Sequence, residues 1–198
     1  MSDYGISLKG DIYDAIKAEA VKAFDEGLTE LSEIAMRMMD VEGVPIHYPY
    51  HHFIVPASYL IAACVETGRS KEEFIEMLDE AKERSLSVQG GFCGNYGACG
   101  AGVGAGIFMS VYTDGSPMAV EPWQWANEVT GIALQGISKC PGPRCCKRVA
   151  FLSFESAAPY INEKLGLHMT MNKDLACKYY EQNNECKKIS CPFYKAEV

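Results

Sequence analysis

The chain has 198 residues, 48% of them hydrophobic, enough for one domain of ordinary size to bury its own core. Charged residues make up 22%, and 18 basic against 26 acidic side chains leave a net charge of -8, which argues against a nucleic-acid or anionic-membrane surface over the body of the protein. The opening "MSDYGISLKGD" lacks the apolar core of a signal peptide, and no run reaches the roughly 18 apolar residues of a membrane span, so a soluble, cytoplasmic protein is expected.

Helical spacing begins at once. Ile12, Ile16, Ala20, Ala23 and Phe24 form one stripe, and after a break at Gly27 a second stripe takes Leu31, Ile34, Ala35 and Met38. "GVPIHYPYHHFIVP" carries three prolines and three histidines and predicts irregular chain up to a helix beginning near Pro56. "ASYLIAACVETG" is apolar nearly all round and predicts a buried central helix. Ser70 and Glu73 form a capping box before Phe74, Met77, Leu78 and Ala81, a helix that should end by Val88.

Further along, "TDGSP" is a turn by composition, and a helix is expected from Pro122, with Trp123, Ala126, Ala133 and Ile137. Another should start at Pro143, carry Cys146, Val149, Ala150, Ser153 and Phe154 on one face, and bend near Pro159. "LGLHMTMN" suggests one short strand. The fold class expected is therefore mainly α: a single helical domain with a glycine-rich central helix, residues 1–166, and a small cysteine-rich knuckle, residues 167–198.

That glycine-rich stretch, "GGFCGNYGACGAGVGAGIF", formally meets the relaxed dinucleotide fingerprint at Gly100, Gly102 and Ala105, but no strand of adequate length precedes it. A slim helix from about Gly97 fits better. Each glycine inside it costs about 0.5–1 kcal/mol against alanine, so Gly100, Gly102 and Gly104 must permit close approach, whether of a neighbouring helix, of a cofactor or cluster lying on bare backbone, or of a phosphate.

Nine cysteines are a heavy load for a reducing compartment, which leaves thiols buried, reactive or metal-bound. Cys64, alone in an apolar helix, reads as core. Cys93, Cys99, Cys140, Cys145 and Cys146 form a second group. Cys145 and Cys146 fall at a helix start beside Arg144, Lys147 and Arg148, where dipole and charge lower a thiol pKa, so one of these two sulfurs is expected to ionise and act as catalyst or ligand. Cys99 holds a similar place before the glycine helix, and His47, His51 and His52 are candidates for the same site. The spacings match no common zinc or ferredoxin pattern. Metal or iron-sulfur ligation, metal-free thiol chemistry and reduced structural cysteines all stay open.

The third group closes the chain: His168, Cys177, Cys186 and Cys191 make a complete tetrahedral zinc set in a polar tail that lacks apolar periodicity. Over about fifteen residues the spacing resembles the CCCH zinc-finger class, except that "PFYK" stands where that class has its histidine. Lys178, Lys187, Lys188 and Lys195 interleave with Tyr179, Tyr180, Phe193 and Tyr194 as an RNA-stacking surface would, while Asp174, Glu181, Glu185 and Glu197 cancel most of the charge.

Taken together, "HHFIVPASYL", "GFCGNYGACGAGVGAGIF", "KCPGPRCCKR" and the closing "NNEC" and "CPF" resemble an uncharacterised cysteine-rich domain family of anaerobic bacteria and archaea, over roughly residues 40 to 194. The resemblance implies an anaerobic cytoplasm and a place near methyl, sulfur or one-carbon metabolism, and it assigns no residue a role. The leading expectation is an iron-sulfur or zinc-thiolate centre on Cys93, Cys99, Cys140, Cys145 and Cys146, with zinc in the knuckle and a small-molecule or sulfur-carrier partner. Its rivals are a metal-free thiol redox or sulfur-transfer enzyme in which Cys145 or Cys146 carries a persulfide or mixed disulfide and Cys93 or Cys99 resolves it, and a binding module that presents the C-terminal knuckle to RNA or a protein.

Overall fold

The computed structural model describes residues 9–195, so most of the opening stretch read for a leader, and Glu197, lie outside the described residues. Eight α-helices follow in order: α1 Gly10–Asp25, α2 Leu31–Met39, α3 Tyr50–Thr67, α4 Lys71–Leu86, α5 Phe92–Asn95, α6 Gly100–Tyr112, α7 Glu121–Ser138 and α8 Cys146–Leu165. No β-strand occurs among the described residues. "LGLHMTMN" contributes a single parallel bridge, Thr170 to Glu30, while the His168 and Met169 amides just before it are taken up by the Glu66 and Asn162 side chains.

The capping box is formed: the Glu73 amide donates to Ser70 Oγ at 3.2 Å and the Ser70 amide donates to Glu73 Oε2 at 2.9 Å. Helix α3 begins six residues before the expected proline. Pro56 lies inside it and has no N–H for the His52 carbonyl, and the Ser85 hydroxyl of α4 approaches that oxygen at 3.2 Å while sharing its one proton with the Ala81 carbonyl at 2.6 Å. Even so, α3 runs unbroken and is buried from Tyr50 to Cys64. Pro159 likewise does not interrupt α8. That helix starts at Cys146 rather than Pro143, because Cys145 is extended (φ -144°, ψ 111°) and serves as its N-cap.

Helix α6 is the slim element the glycines predict, and it packs against α3, α4, α7 and α8. A Cβ on Gly102 would lie 2.6 Å from Leu134 Cδ2 of α7, one on Gly104 would lie 3.1 Å from Val55 Cβ of α3, and one on Gly100 would overlap the His52 ring. Protein atoms occupy the space these glycines leave. Their role is close helix approach, and the cofactor cradle expected of Gly100, Gly102 and Gly104 is replaced by side chains of α3 and α7.

After α8 the described residues form two single-turn 3-10 helices, Tyr180–Gln182 and Lys188–Ser190, and are held against the body. Leu167, Met169, Leu175, Tyr179 and Phe193 join the main hydrophobic core. The Phe193 ring meets Phe151 of α8 edge-on at 5.4 Å, and Tyr179 Oη donates to Asp40 Oδ1 at 2.9 Å. Apolar anchors at irregular intervals fix this tail.

Candidate functional site

The start of α8 divides two sulfur-lined cavities. On one side a cavity of about 800 Å³ is walled by α3, the 88–101 segment, α7 and the 140–149 segment. Cys93, Cys99, Cys140 and Cys146 line it, with His51, His52, Arg144 and Arg148. On the other side a space of about 20 Å³, room for roughly one water, lies among Cys145, Cys177, Cys186 and Cys191. Four aromatic rings of the tail and Phe151 close it. Neighbours in the chain, Cys145 and Cys146 therefore face different chemistry, the first extended as an N-cap and the second already helical.

Cys99 is the N-cap of α6 and Cys145 that of α8, as the helix-start expectation requires. The expected thiolate does not follow. Burial raises the Cys99 thiol, against the Ala101 and Gly102 amides that lower it. Burial also raises Cys145, against the amides of Arg148 and Lys147 and the Arg148 charge. Cys146 is pushed up to about 12 by burial first and then by the neighbouring Cys99 thiol, with Arg144 only partly offsetting it. Desolvation outweighs dipole and charge at each of these positions.

The expected cations are also redirected. Lys147 is 1% exposed, its Nζ sits 4.4 Å from the Tyr179 ring centre and donates to the Met39 carbonyl at 3.2 Å, and burial brings its pKa down to about 8. Arg148 is also buried and donates to the Pro143 carbonyl at 2.6 Å.

His51 Nδ1 donates to the Tyr48 carbonyl at 3.0 Å, which leaves Nε2 as the acceptor, buried and without a partner among the described residues. Burial, and then the Lys147 charge, hold His51 well below the ordinary imidazole range. His52 Nδ1 donates to the Val88 carbonyl at 2.9 Å, and burial lowers it as well. Both rings are neutral at pH 7. His47 stands apart, its Nε2 2.7 Å from Glu185 Oε2, and ties the tail to the segment before α3.

The iron-sulfur cluster expected in the core and the zinc expected in the knuckle are overturned. Among the described residues no group of three or more His, Cys, Asp or Glu is placed to hold a metal ion. His168 points away from the tail cysteines: its side chain is 89% exposed and its Nδ1 lies 2.8 Å from Glu66 Oε1. Cys93 is exposed, and Cys145 is turned away from Cys99, Cys140 and Cys146. The tail sulfurs are engaged otherwise: Asn183 Nδ2 donates to Cys145 Sγ at 3.5 Å and the Lys188 amide to Cys186 Sγ at 3.4 Å. All nine cysteines are free thiols, and Cys64 is a core residue as expected.

Two participants carry no signal in the sequence. Tyr48 lines the larger cavity with φ +91°, a conformation costing about 1–3 kcal/mol, and its carbonyl orients His51. Asn183 supports Cys145 from the irregular tail, where its Oδ1 also accepts from the Glu185 amide at 3.0 Å.

No helix among the described residues is long and apolar enough to cross a membrane. Residues 21–194 match the Family of unknown function (DUF5714), and the chain belongs to that family. Comparison with curated proteins and with solved structures gives no match.

Proposed function

With membership of a family of unknown function as the premise, we propose that the larger cavity carries out metal-free thiol redox or sulfur-transfer chemistry through Cys93, Cys99 and Cys146. The observation that carries this reading is the difference in exposure among three thiols that line one cavity. Cys93 is exposed while Cys99 and Cys146 are partly buried, and the three are near neighbours in that order, Cys93 raising the Cys99 thiol and Cys99 raising the Cys146 thiol.

Access decides the order of events. The Cys93 thiolate attacks a disulfide R–S–S–R′, forming Cys93–S–S–R and releasing R′–S⁻, which takes up the proton Cys93 gave away. Cys99 then attacks the Cys93 sulfur and releases R–SH, and Cys146 displaces Cys93 from Cys99. The sum is one substrate disulfide reduced to two thiols and one Cys99–Cys146 disulfide formed, with two electrons and two protons passed from protein to substrate. Burial disfavours the ionised form of both inner thiols, so their reduced state gains nothing from thiolate stabilisation, and the pair acts as a reductant. An anaerobic setting would keep such a pair reduced.

The test is stoichiometric. Protein reduced under argon and mixed with the uncharged bis(2-hydroxyethyl) disulfide should release two equivalents of thiol. Cys146→Ser should leave Cys93 and Cys99 as the sole exchanging pair and make the reaction readily reversible by added mercaptoethanol, and Cys93→Ser should slow the first release at least about tenfold. Cys64→Ser and Cys145→Ser should behave as the parent. Equal slow labelling of every thiol, with no second equivalent released, would overturn the reading.

A further inference from the structure

The chain carries a net charge of -8 with 26 acidic side chains, yet among the described residues not one Asp or Glu lines the larger cavity. Its only charged side chains are Arg144 and Arg148, and neither forms an ion pair among the described residues. An acid-free pocket with two unpaired guanidinium groups concentrates positive potential where the rest of the surface is negative.

Two buried polar atoms add the second observation. Arg148, 4% exposed, has an Nε–H with no acceptor, and His51, 1% exposed, has an Nε2 with no donor. Leaving such atoms unmet costs about 1–3 kcal/mol each, and both side chains line the larger cavity, with Arg148 bordering the smaller one as well. One needs an oxyanion or carbonyl and the other needs an O–H or N–H. Leu134, Ile137 and Val149 add apolar wall to the same cavity, and about 800 Å³ suits a ligand of small-molecule size.

We propose that the cavity is the seat of a small organic oxyanion, of the carboxylate class, whose acid group is held by Arg144 and Arg148 while its body lies along the apolar wall toward the thiols. Resting on the exchange reading above for the bond that reacts, the substrate class is a low-molecular-weight disulfide bearing a carboxylate. The guanidinium groups choose the substrate by its charge, and Cys93 begins the exchange already described.

Three disulfides of like size separate the effects: 3,3′-dithiodipropionate, bis(2-hydroxyethyl) disulfide and cystamine carry negative, no and positive charge. Thiol release from the reduced protein should be about tenfold or more faster with the dicarboxylate than with the neutral compound at low salt, and slower still with cystamine. Arg148→Gln should remove the preference. Arg144→Gln, at a more exposed position, should reduce it several-fold and guards against a folding defect in the first variant.

Suberate, a dicarboxylate of matching length with no sulfur, should bind the native protein by calorimetry and protect Cys146 from alkylation. Suberate binding with no thiol released from any of the three disulfides would sustain the seat and defeat the exchange reading. Equal release from all three, with no suberate binding, would overturn the seat and leave the exchange reading standing.

Discussion

Two groups of four thiols lie back to back across the first turn of α8, and they differ in everything except the residue type. The larger cavity is open, bordered by glycines and by two neutral histidines, and Cys93 on its wall is the most exposed of the nine cysteines. The smaller one is closed by Phe151, Tyr179, Tyr180, Phe193 and Tyr194 and has no room for a substrate, although Cys177, Cys186 and Cys191 keep partial exposure on their outer sides and only Cys145 is buried. Thiols become reactive through access and surroundings, so the open group is the one suited to exchange and the closed group is an internal joint between tail and body.

Opening the closed side should have the largest effect. Phe193→Ala removes the ring packed on Phe151 and should cost about 3 kcal/mol of stability in a denaturant titration. It should also raise alkylation of Cys145 and Cys177 while leaving thiol release from the larger cavity within about twofold of the parent. If exchange collapses along with the tail, the two groups are one site.

Crowding the open side comes next. Gly100→Ala places a methyl group on the His52 ring, which is held by its bond to the Val88 carbonyl, and should cost about 1–3 kcal/mol by thermal melting. The larger cavity alone should respond, through a slower reaction of Cys99. A variant as stable and as reactive as the parent would contradict the close approach of α6 and α3.

The smallest effect is on the pH dependence of stability. His51 and His52 are neutral when folded, their pKa values lowered below the ordinary 6.5, so the unfolded chain binds protons that the folded chain refuses and stability should fall as pH drops from 7 to 5. His51→Asn, which can still donate to the Tyr48 carbonyl, should flatten that slope. At alkaline pH, Cys146, raised from 9.0 to about 12, loses its contribution as pH rises from 9 toward 12. Lys147, lowered from 10.5 to about 8, works in the opposite direction from pH 8 upward, but Cys64, Cys99, Cys145 and Cys177 are raised along with Cys146, so the thiols outweigh it and stability should fall above pH 9.

The helices were legible wherever a local device sets them: the Ser70 capping box, the break at Gly27, the stripe of Ile12, Ile16 and Ala20, the small residues of α6. Pro56 misled because its cost is eased by Ser85, a residue far along the chain that no local pattern couples to it. The tail misled for the opposite reason. Its anchors Leu175, Tyr179 and Phe193 have no period, so a segment packed on the core read as one needing a metal staple. At the site, the cysteines and both helix starts could be found in the sequence, but burial could not, and burial decides that Cys99, Cys145 and Cys146 are not ready thiolates. Nor does a sequence say that Cys145 and Cys146, adjacent in the chain, turn to opposite sides of a helix start.

The most direct test is a map of linkages after one equivalent of bis(2-hydroxyethyl) disulfide has reacted, with free thiols blocked under denaturing conditions and peptides read by mass spectrometry. The account predicts a Cys99–Cys146 linkage as the main product, with Cys145, Cys177, Cys186 and Cys191 recovered as blocked thiols. A main product joining Cys145 to one of the tail cysteines, or no internal linkage at all, would contradict it.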